Sequence, residues 1–216
     1  MSEALVLRGV LAGYGQHTVL QDLSIEFPHA SVTVVLGPGG SGKSTLLHVI
    51  EGSASELWRG GEVPRVRAWR LPQPSRTSER ATPRAELALA RASVEAWLAA
   101  RPNLLPESQH VALFASERAL VRVDRILSAD AEILLLDEPD DRLDEPACRA
   151  LTTILRALAR QGSTIIVVTH NLALVQQVAD HVVLLVDGVK LDEGEPTRVR
   201  SQPASPRVRD FFTWGT

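Results

Sequence analysis

Gly37-Pro38-Gly39-Gly40-Ser41-Gly42-Lys43-Ser44-Thr45 places four glycines, one lysine and three hydroxyls in nine consecutive positions. The run fits G-x-x-x-x-G-K-[ST], a turn whose backbone N–H groups converge on an anion because no Cβ obstructs them. That chemistry takes the phosphates of a nucleoside triphosphate, with Lys43 at the β- and γ-phosphates and Ser44 as a Mg²⁺ ligand. A helix opening near Gly42 would add its positive end to the same site. Only two lysines occur, Lys43 and Lys190, and the other cationic side chains are arginines. A lysine kept here suits a place for a compact ammonium where a planar guanidinium would not fit.

A second set of residues could act on that triphosphate. Ile133-Leu134-Leu135-Leu136 has the pattern of a core strand and ends in Asp137-Glu138. Two acids at such an end are costly unless metal or solvent satisfies them. Beside a phosphate loop, Asp137 would hold Mg²⁺ near Ser44, and Glu138 would orient or deprotonate the attacking water. Without the loop they would be a solvated strand end. His170 closes another apolar run, Thr164–Thr169, at the edge where open α/β sheets bind ligands. It is placed to contact the γ-phosphate or the water, with a structural or solvated histidine as the alternative. Tyr14, the one tyrosine, stands between Gly13 and Gly15, either to stack on a base or as a surface aromatic in a turn.

Holding these residues requires a sheet. The patterning predicts strands at 4–7, 23–27, 32–36, 66–71, 132–136, 164–168 and 181–187, with a turn around 12–15. Helices are expected at 42–51, 84–100, 117–128, 145–160 and 171–179, and Pro102 and Pro106 break the chain between the second and third. Apolar β-branched strands alternating with helices argue for a parallel sheet buried on both faces. The 216 residues, 44% hydrophobic, suit one α/β domain. A net charge of −3 gives no electrostatic case for nucleic acid as partner. The single cysteine, Cys148, excludes an internal disulfide framework and fits a reducing compartment. The beginning, Met1-Ser2-Glu3-Ala4, does not read as a secretory signal, and the longest apolar runs are strand-sized. Any membrane association is therefore expected to go through a partner or a surface contact. The arginines between 59 and 91, crowded at 59, 65, 67, 70, 76 and 80 on an exposed insertion, read as a solvated face, with an acidic partner or lipid headgroups as the alternative. The tail, 196–216, ends in Phe211-Phe212-Trp214, an aromatic patch to pack on the domain or a partner.

Taken in order, Tyr14, Gly37–Thr45, Gln73, Ile133–Glu138, Asp141–Asp144 and His170 resemble the ATP-binding subunit of ABC transporters across about residues 4–195. Asp137-Glu138-Pro139 followed by Leu143-Asp144, and the ending Ala179–Gly188, carry much of the likeness. The resemblance implies a phosphate-loop NTPase with a mainly parallel core sheet, a small N-terminal antiparallel β subdomain and a shortened helical subdomain at about 74–128. By the same likeness, Gly37 to Thr45 bind nucleotide, Tyr14 stacks on adenine, and Gln73 joins Ser44 and Asp137 at Mg²⁺. Lys43, Glu138 and His170 then carry catalysis, and Asp144 belongs to a loop communicating across a dimer. The implied partners are a second ATPase subunit and an integral membrane permease, with no nucleic acid. The implied location is cytoplasmic, on the inner face of the cell membrane.

One motif departs. The family's Leu-Ser-Gly-Gly-Gln signature, which grips the opposite subunit's ATP, falls here on Leu113-Phe114-Ala115-Ser116-Glu117. Phe114 cannot donate the serine's hydrogen bond. At about 6 Å and an effective dielectric near 20, Glu117 would repel a phosphate charge by roughly 2–3 kcal/mol. Alone, Ser116-Glu117 is a good helix start, a serine cap followed by an acid that complements the dipole. The spacings from Lys43 to Gln73 and from Gln73 to Leu113 are also short for the family, which predicts trimmed subdomains. The expectation is an ATPase subunit of a transporter, paired by preference with a different subunit that keeps its signature. The alternative is a nucleotide-binding regulatory or assembly module that has left transport.

Overall fold

The computed structural model describes residues 4–52, 57–73 and 84–214, with Thr213 and Trp214 given by backbone alone. Two long strands, β1 (Leu5–Tyr14) and β2 (His17–Phe27), form a hairpin that β4 (Leu57–Glu62) joins in the order β2-β1-β4, all antiparallel. The main sheet has the order β5-β6-β7-β3-β8-β9. Its members are β3 (Val32–Leu36), β5 (Ala68–Leu71), β6 (Ile133–Asp137), β7 (Thr164–Val168), β8 (His181–Val186) and β9 (Val189–Gly194). The first five run parallel, and β9 turns back on β8.

The period of two explains the two cores. Val32, Val34 and Leu36 of β3 enter one apolar cluster with Leu134 and Leu136, Ile165 and Val167, and Val182 and Leu184. Their alternates, Val35, Leu135, Ile166, Val168, Val183 and Leu185, enter the other with Leu7, Val10, Leu20 and Ile25 of the antiparallel sheet. A strand buried on both faces has no polar face to show, as the sequence pattern required. Helix α1 (Lys43–Glu51) adds Leu46, Leu47, Val49 and Ile50 to the second cluster. The first cluster is covered by α2 (Arg84–Ala99), α3 (Glu107–Ala115), α4 (Glu117–Leu127), α5 (Glu145–Arg160) and α6 (Leu172–Val178).

Several elements differ from the sequence expectations. The expected turn at 12–15 starts too early: β1 runs on through Tyr14, its register shifted at Leu7/Val10, Val10/Ala12 and Ala12/Gly13. Such bulges absorb the glycines without ending the ladder. Pro106 does not simply break the chain but occupies the N-cap position of α3, where its missing N–H costs nothing. The apolar spacing of the helix expected at 84–100 would bury Leu89 with Val94 and Leu98, but Leu89 is 73% exposed. The expected strand 66–71 narrows to Ala68–Leu71, while β4, α3 and β9 lacked a clear periodic signal. The tail forms α7 (Pro196–Ser201) and α8 (Pro206–Trp214) and packs on its own domain through Val199, Val208 and Phe211. The Trp214 side chain, Arg76 and Arg80 lie outside the described residues. Of the other arginines, Arg59 donates to the Val49 carbonyl and Arg70 to Glu51, so the run is not one solvated face.

Candidate functional site

Parallel pairing sends the ends of β5, β6, β7 and β3 to one edge of the sheet, in that order. Gln73, Asp137-Glu138, His170 and the glycine loop follow those four ends. The carboxyl edge of such a sheet is where ligands bind. The glycine loop is built to one backbone path: Gly42, in the N-cap position of α1, has φ 97°. Gly37 passes so close to β8 that a Cβ would lie 1.9 Å from the Leu185 carbonyl oxygen. Larger residues at either position would displace the loop from the sheet.

Lys43 is 9% exposed, and its ammonium donates to the carbonyls of Gly37 and Pro38, each at 2.8 Å. Burial lowers its pKa from the ordinary lysine value, while Glu138 and Asp137 oppose the shift. The Ser44 hydroxyl lies 3.4 Å from Asp137 Oδ1. Asp137 is 3% exposed; burial raises its carboxyl pKa, with the Ser44 hydrogen bond and Arg70 pulling the other way. Glu138 follows with φ 48°, an uncommon backbone for a non-glycine residue, and its N–H donates to the Val168 carbonyl at 2.8 Å. That bend turns its side chain to meet two others. Oε2 accepts from the Gln73 amide, and Oε1 lies 3.5 Å from His170 Nδ1.

The geometry thus gathers Ser44, Asp137, Glu138, Gln73 and His170 from distant parts of the chain. Gly39, Gly40, Ser41 and Thr45 complete the loop, where Ser41 and Thr45 are buried. Tyr14 is held elsewhere: its hydroxyl lies 2.9 Å from His48 Nδ1 on α1. Asp144 caps α5, accepting from the Ala147 N–H at 2.9 Å. Ser116 caps α4 in the same manner, accepting from Ala119 N–H at 3.2 Å. The hydroxyl and carboxylate oxygens of Ser44 and Asp137 are hard donors that suit Mg²⁺, which keeps waters and takes phosphate oxygens as further ligands. Among the described residues no group of three or more His, Cys, Asp or Glu side chains could hold a metal alone.

Sequence reasoning missed three supports. Arg70 reaches from β5 to Glu51 at 2.9 Å and to Asp137 at 4.0 Å. Arg122 donates to the carbonyls of Pro139 and Asp141, at 2.7 and 2.8 Å, fixing the turn after the acids. Thr169 donates to Asp140 at 2.9 Å, tying the end of β7 to that turn. None carries a local motif. The one available signal was a charged residue, Arg70, inside an otherwise apolar strand.

A parallel sheet with a glycine loop and an acid-tipped strand at one edge is the phosphate-loop NTPase fold, here with a small antiparallel subdomain and a helical one. The family model for the ABC transporter matches residues 20–141. The chain belongs to the ABC transporter family, as an ATP-binding domain. Among curated proteins it is 31% identical to a hemin import ATP-binding protein of Rhodococcus jostii, over 96% of this chain and 80% of the other. It is 27% identical to an arginine transport ATP-binding protein of Corynebacterium glutamicum, over 99% of each. Among solved structures, a nucleotide-free ATP-binding cassette of an ABC transporter superposes with a TM-score of 0.70 at 19% identity, covering 98% of this chain and 99% of that one. The ADP conformation of another ATP-binding cassette of an ABC transporter gives 0.69 at 20% identity, covering 99% and 100%.

Proposed function

We propose that this chain binds and hydrolyses Mg-ATP to drive transport through a separate membrane permease, in company with a subunit that supplies an intact signature. The observation that carries the proposal is the meeting of Ser44 with Asp137, and of Glu138 with Gln73 and His170, at one sheet edge. Lys43 and the loop N–H groups would hold the β- and γ-phosphates. Ser44 and Asp137, with Gln73 nearby, would hold Mg²⁺, whose charge offsets the charge on the phosphates. Glu138 would accept a proton from, or aim, a water at the γ-phosphate, and His170 would hold the Glu138 carboxylate in place. Tyr14 would stack on adenine, its ring held by His48.

The unit proposed is a single domain over 1–216, with a helical subdomain at about 74–128 and a tail at 196–216. The place proposed is peripheral and cytoplasmic, beneath a permease; among the described residues no helix is long and apolar enough to cross a membrane. A second reading, a regulatory or assembly module, draws on one observation: the Ser116 hydroxyl is committed to Ala119, and Phe114 is tied to Arg91. Purification from membranes separates the two. A transport subunit comes out with an integral membrane protein and binds Mg-ATP; recovery with soluble partners alone would favour the module.

A further inference from the structure

Glu51 at the end of α1, Arg70 on β5 and Asp137 on β6 form a line of alternating charge. Arg70 Nε donates to Glu51 Oε2 at 2.9 Å, and Nη1 stands 4.0 Å from Asp137 Oδ2. The side chains of Glu51 and Arg70 are 22% and 18% exposed, and that of Asp137 is 4% exposed. Screening by water is weak at that depth, so each charge feels the next. The two oxygens of Asp137 are divided: Oδ1 faces Ser44 and Oδ2 faces Arg70. An arginine this near a metal-binding carboxylate is a rival cation. Bound to Glu51, it is held off at 4.0 Å, beyond hydrogen-bonding distance, and the Glu51 carboxylate offsets part of its charge.

We infer that Glu51 is a positioning residue: it restrains Arg70 so that Asp137 keeps one oxygen and most of its charge for Mg²⁺. The inference rests on the Mg-ATP reading above. Arg70 steadies the carboxylate from behind without neutralising it, and Glu51 sets how far it leans. Removing the Glu51 charge would let the guanidinium close on Asp137 and displace the metal's share. Removing both charges would restore the balance.

The test is equilibrium binding of ATP to the full chain, once with excess Mg²⁺ and once with excess EDTA, read as the ratio of the two dissociation constants. Glu51→Gln should lower the Mg²⁺ gain by roughly fivefold, a coupling ordinary within one ion-pair network, with EDTA binding unchanged. Glu51→Gln/Arg70→Met should return the ratio to about the wild-type value, by the same coupling logic. A merely structural role would weaken binding equally in both media and would not be rescued by a second substitution. Equal weakening, an unchanged ratio in Glu51→Gln, or a double variant as poor as the single one would overturn the inference alone. Failure of the wild-type chain to bind ATP in either medium would overturn the parent reading and this one with it.

Discussion

Ser44, Asp137, Glu138, Gln73 and His170 reach one another from four separate elements, whereas Ser116 spends its hydroxyl on its own helix and Phe114 is engaged by Arg91 of α2. At the sheet edge the polar atoms are held by other parts of the chain: Asp137 by Ser44 and Arg70, Glu138 by Gln73 and His170. At the start of α4 the Ser116 hydroxyl caps its own helix, and the Phe114 ring lies under Arg91, whose guanidinium carbon is 5.1 Å from the ring centroid. The first arrangement is costly in isolation, with a buried acid and a strained backbone at Glu138. The second is comfortable. Strain kept in one place and relieved in the other marks where a ligand is expected.

The sharpest way to break this contrast is at Glu138. In a reconstituted transporter, Glu138→Gln should reduce ATP turnover by about 100-fold or more while Mg-ATP binding persists, as loss of a general base does. Steady-state hydrolysis with parallel binding measurements checks it. Rebuilding the other region should sharpen the contrast. Phe114→Ser/Ala115→Gly/Ser116→Gly/Glu117→Gln, placed on Glu138→Gln, should let the chain form an ATP-dependent dimer with itself that the parent does not form, as seen by light scattering.

How far these regions were legible beforehand differs for physical reasons. The glycine loop, the acid-tipped strand and His170 announce themselves because each sits on one continuous stretch, and the parallel sheet follows from apolar runs without polar alternation. Arg122 and the Thr169–Asp140 link left no local trace, and Arg70 only its charge in an apolar strand, since their meaning lies in contacts between residues 17 to 67 positions apart. The antiparallel sheet was half legible: its bulges hide the period in β1, and β4 is made of Leu57-Trp58-Arg59-Gly60-Gly61-Glu62, with little alternation to show. The helix cap at Ser116 was read correctly from two residues.

That cap gives a smaller prediction. Ser116→Ala should cost about 1 kcal/mol of stability and lower the melting temperature by about 2–4 °C, while Mg-ATP binding by the chain stays as it was. Weakened binding would mean that the start of α4 serves the chain's own nucleotide after all. The smallest effect concerns His48, whose pKa is lowered from 6.5 first by burial and then by Arg70. The unfolded chain takes up a proton near pH 6.5 that the folded chain refuses, so this histidine's contribution is complete above that pH and declines below it. His48→Gln should therefore flatten the loss of thermal stability as pH falls below about 6.5, measured against wild type.

The most direct test is ATP hydrolysis by the purified chain alone, set beside its Mg-ATP affinity. Tight Mg-dependent binding with turnover near background is the predicted result, since the proposed function gives this chain one half-site and leaves the signature to a neighbour. Brisk hydrolysis by the isolated chain, abolished in Glu138→Gln, would contradict it.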